Sequence, residues 1–80
     1  LMISGIREGA VIKRLPGEGN VTLSVMSTGG EGERWWFLNG EPLAGRNYNY
    51  SLKLYLPGEY QLLVMDKSGQ TATVNFELDR

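Results

Sequence analysis

Seven consecutive residues, Arg34-Trp35-Trp36-Phe37-Leu38-Asn39-Gly40, constrain the fold more than any other part of the chain. They hold three of its eight aromatic residues side by side and close on an Asn-Gly pair. Aromatic side chains favour strands because they pack well on a pleated, half-buried surface. Asn-Gly accepts positive φ at both central positions of a type I′ turn, the tightest way to reverse a strand. The segment predicts a Trp-bearing strand in an all-β core, followed at once by a reversal. It carries no chemistry of its own.

The rest of the chain repeats short apolar runs separated by turn residues, at the spacing of a sandwich or barrel. Residues 3–6 and 10–15 read as one first strand broken by Arg7-Glu8-Gly9, and Pro16-Gly17-Glu18-Gly19-Asn20 as a loop. Val21, Leu23 and Val25 alternate with Thr22 and Ser24, the period-2 signature of a strand with one buried face. A Gly-rich connection over residues 27–32 leads into the Trp strand. After Asn39-Gly40, Pro42 cannot donate to a ladder and restricts its segment to a short edge.

Tyr48, Tyr50, Leu52, Leu54 and Leu56 share one face of the next strand, Pro57-Gly58 turns the chain, and Tyr60, Leu62 and Val64 alternate beyond it. Asp66-Lys67-Ser68-Gly69 fits a type I turn closed by a left-handed glycine. Ala72, Val74, Phe76 and Leu78 face inward in the last strand. The pattern predicts an immunoglobulin-like β-sandwich of about seven antiparallel strands. Its expected core holds Trp36, Leu38, Tyr60, Leu62, Val64, Val74 and Phe76. Residues 1–80 read as one sandwich domain, and a first residue that is Leu rather than an initiator Met suggests a fragment of a longer protein.

Composition removes whole classes of function. Eighty residues without a cysteine cannot use disulfides or thiolates, so the aromatic residues must supply much of the burial. A net charge of −1 with no Lys/Arg cluster lacks the electrostatic footprint of a nucleic-acid binder. No apolar run approaches the ~20 residues of a membrane span, so no direct membrane insertion is expected of this segment. Without His or Cys, catalytic triads and most zinc sites are excluded. No catalytic, cofactor-binding or metal-binding residue is expected.

The remaining candidates have plain structural readings. Glu31 and Glu33 make a carboxylate pair, but acid–base work needs a cleft and shifted pKa values, and two acids beside a Gly-rich loop read as solvated charges. Gly29-Gly30-Glu31-Gly32 lacks the Lys of a phosphate cradle. Lys67-Ser68-Gly69 resembles the Lys-Ser/Thr-Gly triplet of β-lactam-reactive serine enzymes. The accompanying Ser-x-x-Lys is absent, because Ala10, Tyr50 and Val64 stand three places before the three lysines.

The faces of the Trp strand carry the functional reading. With Trp36 inward, Trp35 and Phe37 point outward, and a neighbouring strand with Leu62 and Val64 inward turns Leu63 and Met65 the same way. Trp35, Phe37, Leu63 and Met65 then form an outer apolar patch, the mark of an interface unless loops or side-chain stems cover it. A one-residue slip would exchange the two Trp roles. The alternative is a glycan platform, with ring faces from Trp35, Tyr48 and Tyr55 and hydrogen bonds from Arg46, Asn47 and Asn49, unless Tyr48 belongs to the core face with Tyr50.

The order of four segments resembles a known family: Gly9-Ala10-Val11-Ile12, Trp36-Phe37-Leu38-Asn39-Gly40-Glu41-Pro42-Leu43, Pro57-Gly58-Glu59-Tyr60 and Val64-Met65-Asp66-Lys67-Ser68-Gly69. Together they look like the C-terminal domain of the penicillin-binding protein 1C family. Gly5-Ile6 stands where that family usually carries a proline. The resemblance implies a membrane-anchored parent, a bifunctional peptidoglycan glycosyltransferase and DD-transpeptidase on the periplasmic side of the bacterial inner membrane. It also implies a non-catalytic accessory role here, since no position matches either catalytic motif. The partners it suggests are the parent's own transpeptidase domain or a periplasmic cell-wall protein, such as one of the α2-macroglobulin type.

Overall fold

Alternating apolar residues close two sheets over one another in the computed structural model, which describes residues 1–15, 17 and 19–79. The strands are β1 (Met2–Ser4), β2 (Ala10–Ile12), β3 (Val21–Thr28), β4 (Trp35–Leu38), β5 (Glu41–Pro42), β6 (Asn49–Leu54), β7 (Gly58–Met65) and β8 (Thr71–Leu78). One sheet has the order β1-β3-β6 and the other β2-β8-β7-β4-β5. Every pairing is antiparallel except β2 with β8, which is parallel. This is an all-β sandwich. Of the expected loop at 16–20, Pro16 and Glu18 lie outside the described residues.

The expected single first strand is in fact two, one in each sheet. The chain leaves β1 through Gly5, whose φ is +99°, and a Cβ there would lie 2.5 Å from the Ser24 carbonyl oxygen. Only glycine permits that close approach with positive φ. The Glu8 carboxylate then accepts from the Asn75 backbone N–H at 2.9 Å, and Gly9 N–H donates to Asn75 O at 2.7 Å, which seats β2 along β8. Splitting this strand raises the count from about seven to eight.

The core is Val25, Trp36, Leu52, Leu54, Leu62, Val64, Val74, Phe76 and Leu78, all buried. Leu38 and Tyr60 are half-buried at its margin. Trp36 is 1% exposed, lies against the Tyr50 ring at 6.0 Å, and donates its Nε1–H to Asn47 O at 2.8 Å. Burying an indole is favourable only when that N–H finds an acceptor, and Asn47 supplies it. Tyr60 stacks on Phe76 at 5.6 Å and donates its hydroxyl to Leu56 O. Such a tyrosine, bonded back to the preceding corner, is a feature of immunoglobulin-like sandwiches.

The turns behave as their residues dictate. Asn39 and Gly40 have φ of 51° and 82°, and Pro42 sits in a two-residue edge strand. Not all of the expected β6 row is interior: Tyr48 and Leu56, at its two ends, are exposed.

Candidate functional site: an aromatic sheet face and its polar cap

The β4–β7 register sets Trp35 opposite Met65 and Phe37 opposite Leu63, on the outer face of the five-stranded sheet. Pro42 of β5 flanks Phe37, while Thr71 and Thr73 of β8 flank Met65 and Leu63. All four apolar side chains are half-buried. Part of that cover is a side-chain stem, as the Arg46 guanidinium lies over the Trp35 ring at 5.0 Å. Arg46 also pairs with Glu33 at 3.3 Å. Exposed pairs of this kind are worth about 0–1 kcal/mol, so Arg46 is a movable cover. Further along the face, Asn39, Gln61 and Asn75, then Glu59 and Glu77, make it polar.

The glycan set is not brought together. Arg46 lies over Trp35 and the Asn47 carbonyl accepts from Trp36, but Tyr55 follows the last residue of β6, which belongs to the opposite sheet. At ~3.3 Å per strand residue, the length of β6 puts Tyr55 roughly 20 Å from that end. Trp35 and Tyr55 share no platform, because Trp35 sits in the five-stranded sheet and Tyr55 just past the end of β6, at the opposite end of the sandwich. Tyr48 is exposed, but its ring faces the Arg34 guanidinium at 4.2 Å.

Beside the apolar face lies a buried polar cluster with no counterpart in the sequence reading. Arg34 is 1% exposed, and its Nε–H donates to Ser27 Oγ at 2.8 Å. Its terminal nitrogens donate to the Gly32 and Gly29 carbonyls. Asp66, equally buried, accepts from Glu31 N–H at 3.0 Å, from Ser68 N–H and Gln70 N–H at 2.9 Å each, and from Ser68 Oγ at 2.7 Å. Gly30 separates the two charged groups: a Cβ there would meet Asp66 Oδ2 at 2.7 Å and Arg34 Nη1 at 3.1 Å.

Burial by itself raises the Asp66 carboxyl. The Ser68 hydroxyl and the backbone N–H groups of Glu31, Gln70 and Ser68 outweigh it and hold the group below its ordinary range.

A signal for this cluster was present. Ser27 continues the inward row Leu23-Val25, Arg34 precedes Trp36 on the same face, and Asp66 follows Val64 by two. Period 2 therefore places all three on the core side of their segments, and strand pairing brings them to one end of the sandwich. Charged residues at such positions must be paired or hydrogen-bonded. The cluster caps the core and pins the residue 29–33 loop. Glu31 and Glu33 both remain exposed, and Lys67-Ser68-Gly69 is a hairpin turn whose Ser68 hydroxyl is engaged by Asp66. Gly69 N–H closes that turn on Asp66 O at 3.2 Å.

In class, then, the molecule is an immunoglobulin-like β-sandwich with one aromatic sheet face, and its described residues assemble no triad or thiolate site. Comparison with known proteins gives the family. The model described as the Penicillin-Binding Protein C-terminus Family matches residues 1–76, and the chain belongs to that family. It is similar to penicillin-binding protein 1C of Escherichia coli (strain K12), 60% identical over 76 residues that cover 95% of this chain. It spans only 10% of the length of that relative. No solved structure matches.

Proposed function

We propose that this chain is a non-catalytic accessory module of a penicillin-binding protein 1C-like peptidoglycan synthase. In this reading the parent polymerises glycan and cross-links stem peptides on the periplasmic side of the inner membrane. The module docks through Trp35, Phe37, Leu63 and Met65 onto the preceding, transpeptidase part of its own polypeptide. The observation that carries the reading is the 60% identity to a relative of which the chain spans only a tenth. The remaining length is a tethered neighbour, and tethering raises its effective concentration to about millimolar for short flexible linkers.

Geometry supports that occupant. Leu1 lies against the residue 29–30 turn, since a Cβ on Gly29 would be 3.3 Å from the Leu1 nitrogen. Asp66 and Arg34 adjoin that turn and are the chain neighbours of Met65 and Trp35. Preceding chain therefore enters at the end of the sandwich that carries the Trp35–Met65 row. Nothing comparable favours a glycan, whose contact set is divided between the two ends of the sandwich.

Amide hydrogen exchange tests the docking by comparing the 80-residue chain with the full-length synthase. Residues 35–38 and 62–65 are expected to gain protection in the full-length protein, and to lose it when Trp35→Ala is combined with Leu63→Ser. Equal exchange in the two proteins would overturn docking within the chain and leave the face to a separate periplasmic partner.

A further inference from the structure

The sandwich treats its four sheet edges unequally. β1 and β2 are three residues long, and β5 is two residues long and contains Pro42. β6 is six residues long, has no proline and pairs with β3 without a bulge from Asn49 to Leu54. Unpaired N–H and C=O groups on an edge are a template for another strand, which is why edges are shortened, charged or blocked by proline. Three edges here are cut short, one of them with a proline, whereas β6 is long and carries a single lysine, Lys53.

The register shows which β6 groups are open. Ser27 N–H donates to Tyr48 O at 2.7 Å, and these two residues continue the β3–β6 pairing. Opposed residues in an antiparallel pair exchange hydrogen bonds at alternate positions. Tyr50, Leu52 and Leu54 therefore bond to β3, while Asn49, Ser51 and Lys53 turn their N–H and C=O groups away from it. Among the described residues, no turn, loop or side chain bonds to those outward groups.

There is also room for a strand. The Trp36–Tyr50 contact at 6.0 Å places β6 over β4, so β5 extends one strand beyond it. The connection from β5 runs back along β4, with Leu43 N–H donating to Trp36 O and Arg34 N–H donating to Arg46 O. It crosses to the other sheet only at the Asn47–Tyr48 end, so none of its residues pairs with the outer edge of β6.

We propose that the outer edge of β6 is a strand-addition site for an extended segment of another protein chain. The segment takes five or six residues, apolar ones turned inward beside Tyr50, Leu52 and Leu54 alternating with polar ones turned outward, and an acidic side chain beside Lys53. Lys53 is the only charged residue of β6, and an opposite charge across a strand pair is favourable where a like charge is not. Main-chain bonds supply the affinity and the alternating side chains the selectivity. A preceding part of the same chain is the poorer occupant, because Leu1 leads into β1 at the far edge of this sheet.

The test is amide exchange by NMR on the 80-residue chain, alone and with the capped hexapeptide Val-Glu-Val-Ser-Val-Thr at millimolar concentration. In the free protein, Asn49, Ser51 and Lys53 amides should exchange fast and those of Tyr50, Leu52 and Leu54 slowly. The peptide should slow Ser51 and Lys53 by about tenfold or more, in line with site occupancy. Ser51→Pro, which removes an N–H that β3 does not use, should abolish the effect with the fold retained. Should that variant unfold, the same peptide N-methylated at alternate residues makes the test on the unaltered protein, and it should fail to protect. Slow exchange of all three outward amides in the free protein would overturn the proposal. So would absence of peptide protection, protection appearing at residues 35–38 and 62–65 instead, or equal protection by the N-methylated peptide.

Discussion

Two residues carry opposite kinds of risk. Trp36 is the largest fully buried side chain, and its loss would leave a void in a core of nine buried apolar residues. Truncation of a buried aromatic costs about 3–5 kcal/mol, against a total of about 5–15 kcal/mol for typical domains. Trp36→Ala is therefore expected to leave the chain largely unfolded at room temperature, as read by urea denaturation and near-ultraviolet circular dichroism.

Asp66 is a charge in the same interior, tolerable because its carboxylate accepts four hydrogen bonds, three on Oδ1 and one on Oδ2. Its folded pKa lies below the ordinary value of 3.8. A depressed carboxylate contributes stability above its unfolded pKa, and that contribution is lost as pH falls through the folded value. Asp66→Asn should thus be less stable than the parent chain near neutrality, with the gap narrowing below about pH 4. A gap in urea midpoint that stays constant from pH 7 to pH 3 would show that the carboxylate charge is not what matters.

At the scale of elements, the corner between β6 and β7 depends on one hydroxyl. Tyr60 stacks on Phe76 through its ring and reaches back to Leu56 O through its oxygen. Tyr60→Phe keeps the ring and removes only the bond, so its expected cost is about 0.5–1.5 kcal/mol by denaturant titration. A loss near zero would mean that the stacked ring alone holds the corner. The β4–β7 pair is the other decisive element. Its inward side supplies Trp36, Leu62 and Val64 to the core, and its outward side supplies the proposed docking row from the intervening residues. Substitutions at Trp35 and Leu63 should therefore alter docking with much smaller changes in stability than Trp36→Ala.

At the scale of the molecule, the two proposed contacts lie on different sheets. The aromatic face belongs to the five-stranded sheet, near the end where Leu1 enters, and the open β6 edge belongs to the three-stranded one. A module held to its own synthase by the first surface still presents the second to another chain. The two tests are separable for that reason: Trp35→Ala should leave the behaviour of Ser51 and Lys53 amides unchanged, and Ser51→Pro should leave the docking row intact.

The alternation of apolar residues by itself determined the all-β class, most strand positions and the inward set around Trp36, because period 2 is a local property that survives without knowledge of neighbours. Turn chemistry did the same for Asn39-Gly40 and for Asp66-Lys67-Ser68-Gly69, where backbone dihedrals depend on a few adjacent residues. Tertiary structure alone decided what depends on which strand lies beside which. It divided the first strand between two sheets at Gly5, and it separated Tyr55 from Trp35. It also gathered Ser27 and Arg34 with Asp66, more than thirty residues further along, into one cap. The aromatic stretch at 34–40 combines both kinds of information: its alternation divides Trp36 from Trp35, but pairing with β7 is what sets Met65 and Leu63 beside the outward residues. Such pairings cost loop-closure entropy that is recovered only by long-range burial, and no local pattern records that balance.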